Sequence, residues 1–102
     1  MELFVRIVSQ GEAETREVTT RRGEKINLTT MPFTLNQGDD TFFAEMFGEK
    51  ALAQPQLRKD HLYVADIQLT VREVTNDRGS FIKNTITLRS ITEFIKLPPT
   101  EF

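Results

Sequence analysis

The stretch from Thr41 to Leu97 does most to limit what this chain can fold into. Thr41 to Phe47 alternates as a strand does, with Phe42, Ala44 and Met46 on one face and Thr41, Phe43, Glu45 and Phe47 on the other, and Gly48 closes it. Glu49 to Gln54 is the only good helical stretch, and Pro55 stops it after about two turns. His61 to Val74 and Phe81 to Leu97 are long β-type runs joined by a turn at Asn76-Asp77-Arg78-Gly79. Apolar positions in the first of these runs change parity, from Leu62 and Val64 to Ile67, Leu69 and Val71. A one-residue slip flips every side chain, so the pattern predicts a β-bulge near Ala65-Asp66.

The first forty residues add two more strands. Leu3 to Gln10 places Leu3, Val5 and Ile7 on one face and Phe4, Arg6 and Val8 on the other; Gly11 then interrupts it. Thr15 to Thr20 continues in β-favouring residues, and Arg21-Arg22-Gly23-Glu24 reads as a turn in which Gly23 is free to take positive φ. Lys25 to Leu35 follows, with Ile26 and Leu28 alternating against Asn27 and Thr29, and Pro32 is expected to end or bulge it. Asn36 to Asp40 is a loop by composition. Five strands with one short helix between the third and fourth predict an all-β fold, a closed five-stranded Greek-key barrel, in preference to an open sandwich. The expected domain is 1–97, followed by a short tail, 98–102.

The chain has 102 residues, enough for one core and too few for two. Hydrophobic residues make up 38% and charged residues 27%, which argues against disorder. With no cysteine, a disulfide framework and a thiolate metal site are excluded. Met1-Glu2-Leu3-Phe4-Val5-Arg6 is no signal peptide, and no apolar run approaches a membrane span, so a cytoplasmic location is the expectation. The net charge of −2 conceals a separation. Acids gather in Glu12, Glu14, Glu17, Asp39, Asp40, Glu45 and Glu49. Bases gather near two expected hairpin tips, as Arg21, Arg22 and Lys25, and as Arg72, Arg78 and Lys83.

Four segments carry a likeness to a known family. They are Gly11-Glu12-Ala13-Glu14-Thr15-Arg16, Gly23-Glu24-Lys25-Ile26-Asn27-Leu28-Thr29-Thr30, Phe43-Ala44-Glu45-Met46-Phe47-Gly48-Glu49-Lys50-Ala51, and the hairpin Leu69 to Leu88. In order and spacing they resemble the bacterial single-stranded DNA-binding protein family, whose domain is an OB-fold. The likeness covers about residues 1–97. Thr41 stands where that family usually has Trp, Lys59-Asp60 where it has Lys-Gly, and only Pro98 to Phe102 stands for its long acidic tail, so a short form is expected. The resemblance implies non-specific binding of single-stranded DNA during replication, recombination, repair or transfer. It implies a homo-oligomer, dimer or tetramer, paired through first-strand edges such as Leu3 to Val8, with replication or recombination proteins as further partners.

Single-strand binding needs flat π-faces for bases and cations for phosphates. Phe47 is at the family's stacking position and Phe43 is on the same strand face; Phe33 and Phe81 sit beside the basic hairpins and complete the expected stackers. Phe42 and Phe94 are assigned to the core. Arg21, Arg22, Lys25, Arg72, Arg78 and Lys83 are the expected phosphate contacts. His61 stands alone and reads as a surface or strand-edge residue, and Asp39-Asp40 reads as a loop. No phosphate loop, nucleophile elbow or paired-carboxylate constellation is present, so no enzyme activity, cofactor or metal is expected. The competing expectation is an OB-like module that binds protein through a strand edge and does not touch DNA.

Overall fold

The computed structural model describes residues 1–96, the side chain of Arg72 excepted; the expected tail lies outside the described residues. The elements are β1 (Glu2–Gln10), β2 (Glu14–Thr19), β3 (Lys25–Gln37), β4 (Asp40–Phe47), α1 (Glu49–Ala53), β5 (His61–Asn76) and β6 (Gly79–Lys96). The sheet runs β1-β5-β6-β4-β3-β2, and a further β1–β3 pairing closes it. The closed ring has five strands, β1, β5, β6, β4 and β3, with the short helix between β4 and β5. All pairings are antiparallel except β4–β6. This is the OB-fold barrel.

β2 is the continuation of β1 along the same side of β3. β1 pairs with Phe33–Asn36 and β2 with Lys25–Thr30. The break falls at Gly11, whose N–H donates to the Pro32 carbonyl at 2.9 Å. A Cβ on Gly11 would sit 2.5 Å from Pro32 Cγ, so the crossing needs glycine there. The same contact explains why Pro32 does not end β3, as its sequence suggested. Its missing N–H points at the gap between β1 and β2, where no ladder bond is available to lose. β3 therefore runs on to Gln37, and the expected loop over Asn36–Asp40 shrinks to a tight hairpin turn with Gln37 opposite Asp40.

The core comes from alternate residues. Val5 and Ile7 of β1, Met31, Phe33 and Leu35 of β3, Ala44 and Met46 of β4, Tyr63, Ala65 and Ile67 of β5 and Leu88 of β6 are all buried. α1 closes one end through Ala51, which is fully buried. Each large apolar side chain sealed this way contributes about 1.5–3 kcal/mol.

One expectation is corrected here. β5 keeps a single inward parity through Tyr63, Ala65 and Ile67, while Leu62 and Val64 are half-buried on the opposite face. The bulge does fall opposite Asp66–Ile67, but the extra residue is on β6: Asp66 pairs with Ser90 and Ile67 with Leu88, leaving Arg89 over. A second shift leaves Phe94 over, between Glu93 and Ile95. β1 divides its pairing between two neighbours, Glu2–Val5 with β5 and Arg6–Gln10 with β3.

Two hairpins extend beyond the barrel, β2–β3 and the outer part of β5–β6, and they account for extents of 54 × 29 × 22 Å. On the β5–β6 arm Leu69, Val71, Phe81 and Ile82 are exposed. No helix among the described residues is long and apolar enough to cross a membrane.

Candidate nucleic-acid interface

The outer face of β3 and β4, flanked by the two arms, is the surface on which OB-folds hold oligonucleotides. Its residues are set by period-two alternation. Because Phe42, Ala44 and Met46 turn inward, Phe43, Glu45 and Phe47 turn outward. Phe43 is 55% exposed and lies opposite Thr34. Phe47 is half-buried at the strand end, opposite Thr30 and just before α1. Both rings present surface to solvent on one line, with the Glu45 carboxylate between them. Phe33 does not join them: at 1% exposure it is a core residue, because its parity on β3 matches Met31 and Leu35. Phe42 packs against the core as expected, whereas Phe94 is 54% exposed and meets Phe4 edge-on with centroids 5.1 Å apart.

The fourth expected stacker, Phe81, is 50% exposed on the β5–β6 arm opposite Val74. Leu88 is buried, so Thr87, Thr85, Lys83 and Phe81 alternate onto the outward side of β6. Lys83 lies opposite Arg72 in the register. Arg78 is at the tip, where its N–H donates to Asn76 Oδ1 at 2.8 Å and fixes the turn. On the other arm Gly23 has φ of 82°, as its turn requires, and Arg21 and Arg22 are exposed beside it. Lys25 is 3.8 Å from Glu17, a solvated pair of little energetic weight. The expected cations are thus divided between the arms and do not converge on one point.

Charge is distributed unevenly across the face. On the β2 side a groove of about 450 Å³ is lined by Glu12, Glu14 and Glu45, with Arg16 alone to offset them. On the β6 side lie two cations that the motif reading passed over. Lys50 of α1 donates from Nζ to the Arg89 carbonyl at 2.7 Å, and both side chains are exposed. A signal for Arg89 was present in the sequence: apolar positions change parity between Leu88 and Ile91, which marks the extra residue.

His61 begins β5 beside the loop that follows α1. It is half-buried, with Nδ1 facing the Glu93 carboxylate and Nε2 3.6 Å from Asp60 Oδ1. Desolvation pushes the Asp60 carboxyl up, but the hydrogen bond and charge of Arg58, its own backbone N–H and His61 together hold it below its ordinary value. The Gln10 amide ties the loop after α1 to β1, donating to the Pro55 carbonyl at 3.1 Å and accepting from the Leu57 N–H at 2.8 Å. These contacts anchor a connection. Among the described residues no group of three His, Cys, Asp or Glu is placed to hold a metal ion.

A second surface lies on the outer side of β1, β5 and β6. Phe4, Val8, Phe94 and Ile95 are each more than 40% exposed there, over half-buried Leu62 and Val64. No family model, curated protein or solved structure matches the chain.

Proposed function

We propose that this protein binds single-stranded DNA with little sequence preference and protects it during replication, recombination or transfer, as a relative of the bacterial single-stranded DNA-binding proteins. The observation that carries this reading is the outward line of Phe43 and Phe47 on the β3–β4 face of an OB barrel between two basic hairpins. Stacking on an aromatic ring supplies roughly 1–3 kcal/mol per base and tolerates any base, since every base has a π-face. Cations of the β5–β6 arm and the barrel hold phosphates without reading sequence. The test is a fluorescence-anisotropy titration with labelled single-stranded and duplex oligonucleotides at low and moderate salt. The expected result is preference for the single strand and a steep loss of affinity as salt rises; binding that ignores salt and strandedness would overturn the reading.

The protein acts as a homo-oligomer in this proposal, through the apolar outer face of β1, β5 and β6. Glu2 and Arg6 lie equally far from Phe4 on that face, so a two-fold axis near Phe4 sets Arg6 of one copy against Glu2 of the other. The alternative is an OB-like module that binds protein. It is favoured by the three carboxylates lining the groove beside Phe47, and the same titration decides between the two, because that module leaves the oligonucleotide free.

A further inference from the structure

From the position of Arg89 we infer a defined path for the bound strand: it runs along the outer side of β6, from Phe81 and Lys83 on the arm to Arg89 and Lys50 on the barrel, and leaves the β2–β3 arm uncovered. This inference rests on the single-strand reading and makes Lys50 and Arg89 phosphate-binding residues.

The geometry begins at the one parallel contact, where Glu45 of β4 pairs with Thr87 of β6. One step on, Met46 and Leu88 are both buried, so these strands are in phase. Another step on, Phe47 and Arg89 stand level and both face outward. Arg89 is the unpaired residue of a bulge, a device that re-aims a side chain at the edge of a site. Lys50, three residues after Phe47, reaches its carbonyl. The level of Phe47 therefore holds one aromatic face and two cations. In the opposite direction the outward side of β6 presents Thr87, Thr85, Lys83 and Phe81, hydroxyls and then a cation beside a second aromatic. The run from Phe81 to Arg89 is about 26 Å at the rise of a strand.

The alternative route, from Phe47 across β3 towards Arg21 and Arg22, starts at the rim of the groove lined by Glu12, Glu14 and Glu45 and passes Glu14, opposite Thr30. Phosphates at that rim have carboxylates beside them with Arg16 alone to offset them, and repulsion acts at short range where salt screens it least. Glu45 borders the β6 route as well, so it is a local brake on affinity.

The test compares variants with the unaltered full chain in titrations of labelled oligo-dT over a salt series. Lys50→Gln and Arg89→Gln should each weaken binding by roughly threefold to tenfold and flatten the salt slope by about 0.7, the value of one lost single-strand phosphate contact. The double variant Arg21→Gln/Arg22→Gln should change affinity by less than about twofold. Glu45→Gln should bind more tightly, a gain that misfolding cannot produce. If the unaltered protein binds oligo-dT while Lys50→Gln and Arg89→Gln match it, or while Arg21→Gln/Arg22→Gln is the weaker variant, the path is wrong and the single-strand reading stands. If the unaltered protein does not bind, both fall.

Discussion

At the scale of single residues, the weight of the proposed site rests on two rings whose surroundings differ. Phe43 is more than half exposed, so truncating it leaves no cavity. Phe43→Ala should weaken oligonucleotide binding by roughly 1–3 kcal/mol with an unchanged thermal midpoint. Phe47 is half-buried, and Phe47→Ala should lose a similar increment of binding together with some stability. Anisotropy and thermal melts read side by side separate these losses, and unchanged affinity in both folded variants would remove the rings from the site. Gly11 is the structural counterpart. Gly11→Ala forces a methyl group to within 2.5 Å of the Pro32 ring, where neither backbone can easily yield. A destabilisation of about 1–3 kcal/mol is expected, measured by denaturant titration, and a variant as stable as the parent would show that the β1–β2 crossing can open.

At the scale of elements, the arms and the barrel are built differently. β3 has neighbours on both sides from Phe33 to Asn36 and carries Phe33 and Leu35, both at or below 1% exposure. The outer part of β5–β6 is a two-stranded ribbon whose apolar residues Leu69, Val71 and Ile82 remain in solvent. A ribbon with little burial opens at lower free energy than a core strand. Amide hydrogen exchange should therefore be fast from Thr70 to Asn76 and from Gly79 to Thr85, and slow across Phe33–Leu35. Oligonucleotide should slow exchange on the β5–β6 arm, because a bound strand pins the ribbon; protection of the β2–β3 tip alone would count against the β6 route.

At the scale of the whole molecule, two surfaces compete for explanation: the flanked β3–β4 face and the apolar outer side of β1, β5 and β6. An apolar patch bearing Phe4 and Phe94 at 53% and 54% exposure is unusual for a monomer. Sedimentation of the full chain should show self-association, and Phe94→Glu should shift it towards the monomer while leaving the barrel folded. An unaltered protein that stays monomeric at high concentration would assign that face to another partner. Because the strand path uses Phe81–Arg89 of β6 and the apolar face uses Phe94 and Ile95 beyond it, loss of self-association should lower the affinity for long oligonucleotides more than for short ones.

Much of this architecture was readable in the sequence because alternation and punctuation are local. Val5 and Ile7, Ala44 and Met46 had to face one way once strands were assigned, and Gly23 and Pro55 had to stop what preceded them. Phe43 could be placed on the outward side of its strand by the same counting. Other features depended on which strands meet. Phe33 lies near a basic hairpin in sequence, but β1 and β4 enclose it. Pro32 survives inside a strand because Gly11 leaves space beside it. Arg89 gains its position from pairing between β5 and β6, and its relation to Phe47 from the parallel contact of β4 with β6. Sequence by itself determined the strands, the turns and the inward parity, since each follows from neighbouring residues. Only the tertiary structure decided which aromatics keep an open face and which charges share a surface, because those depend on segments distant in the chain closing one barrel.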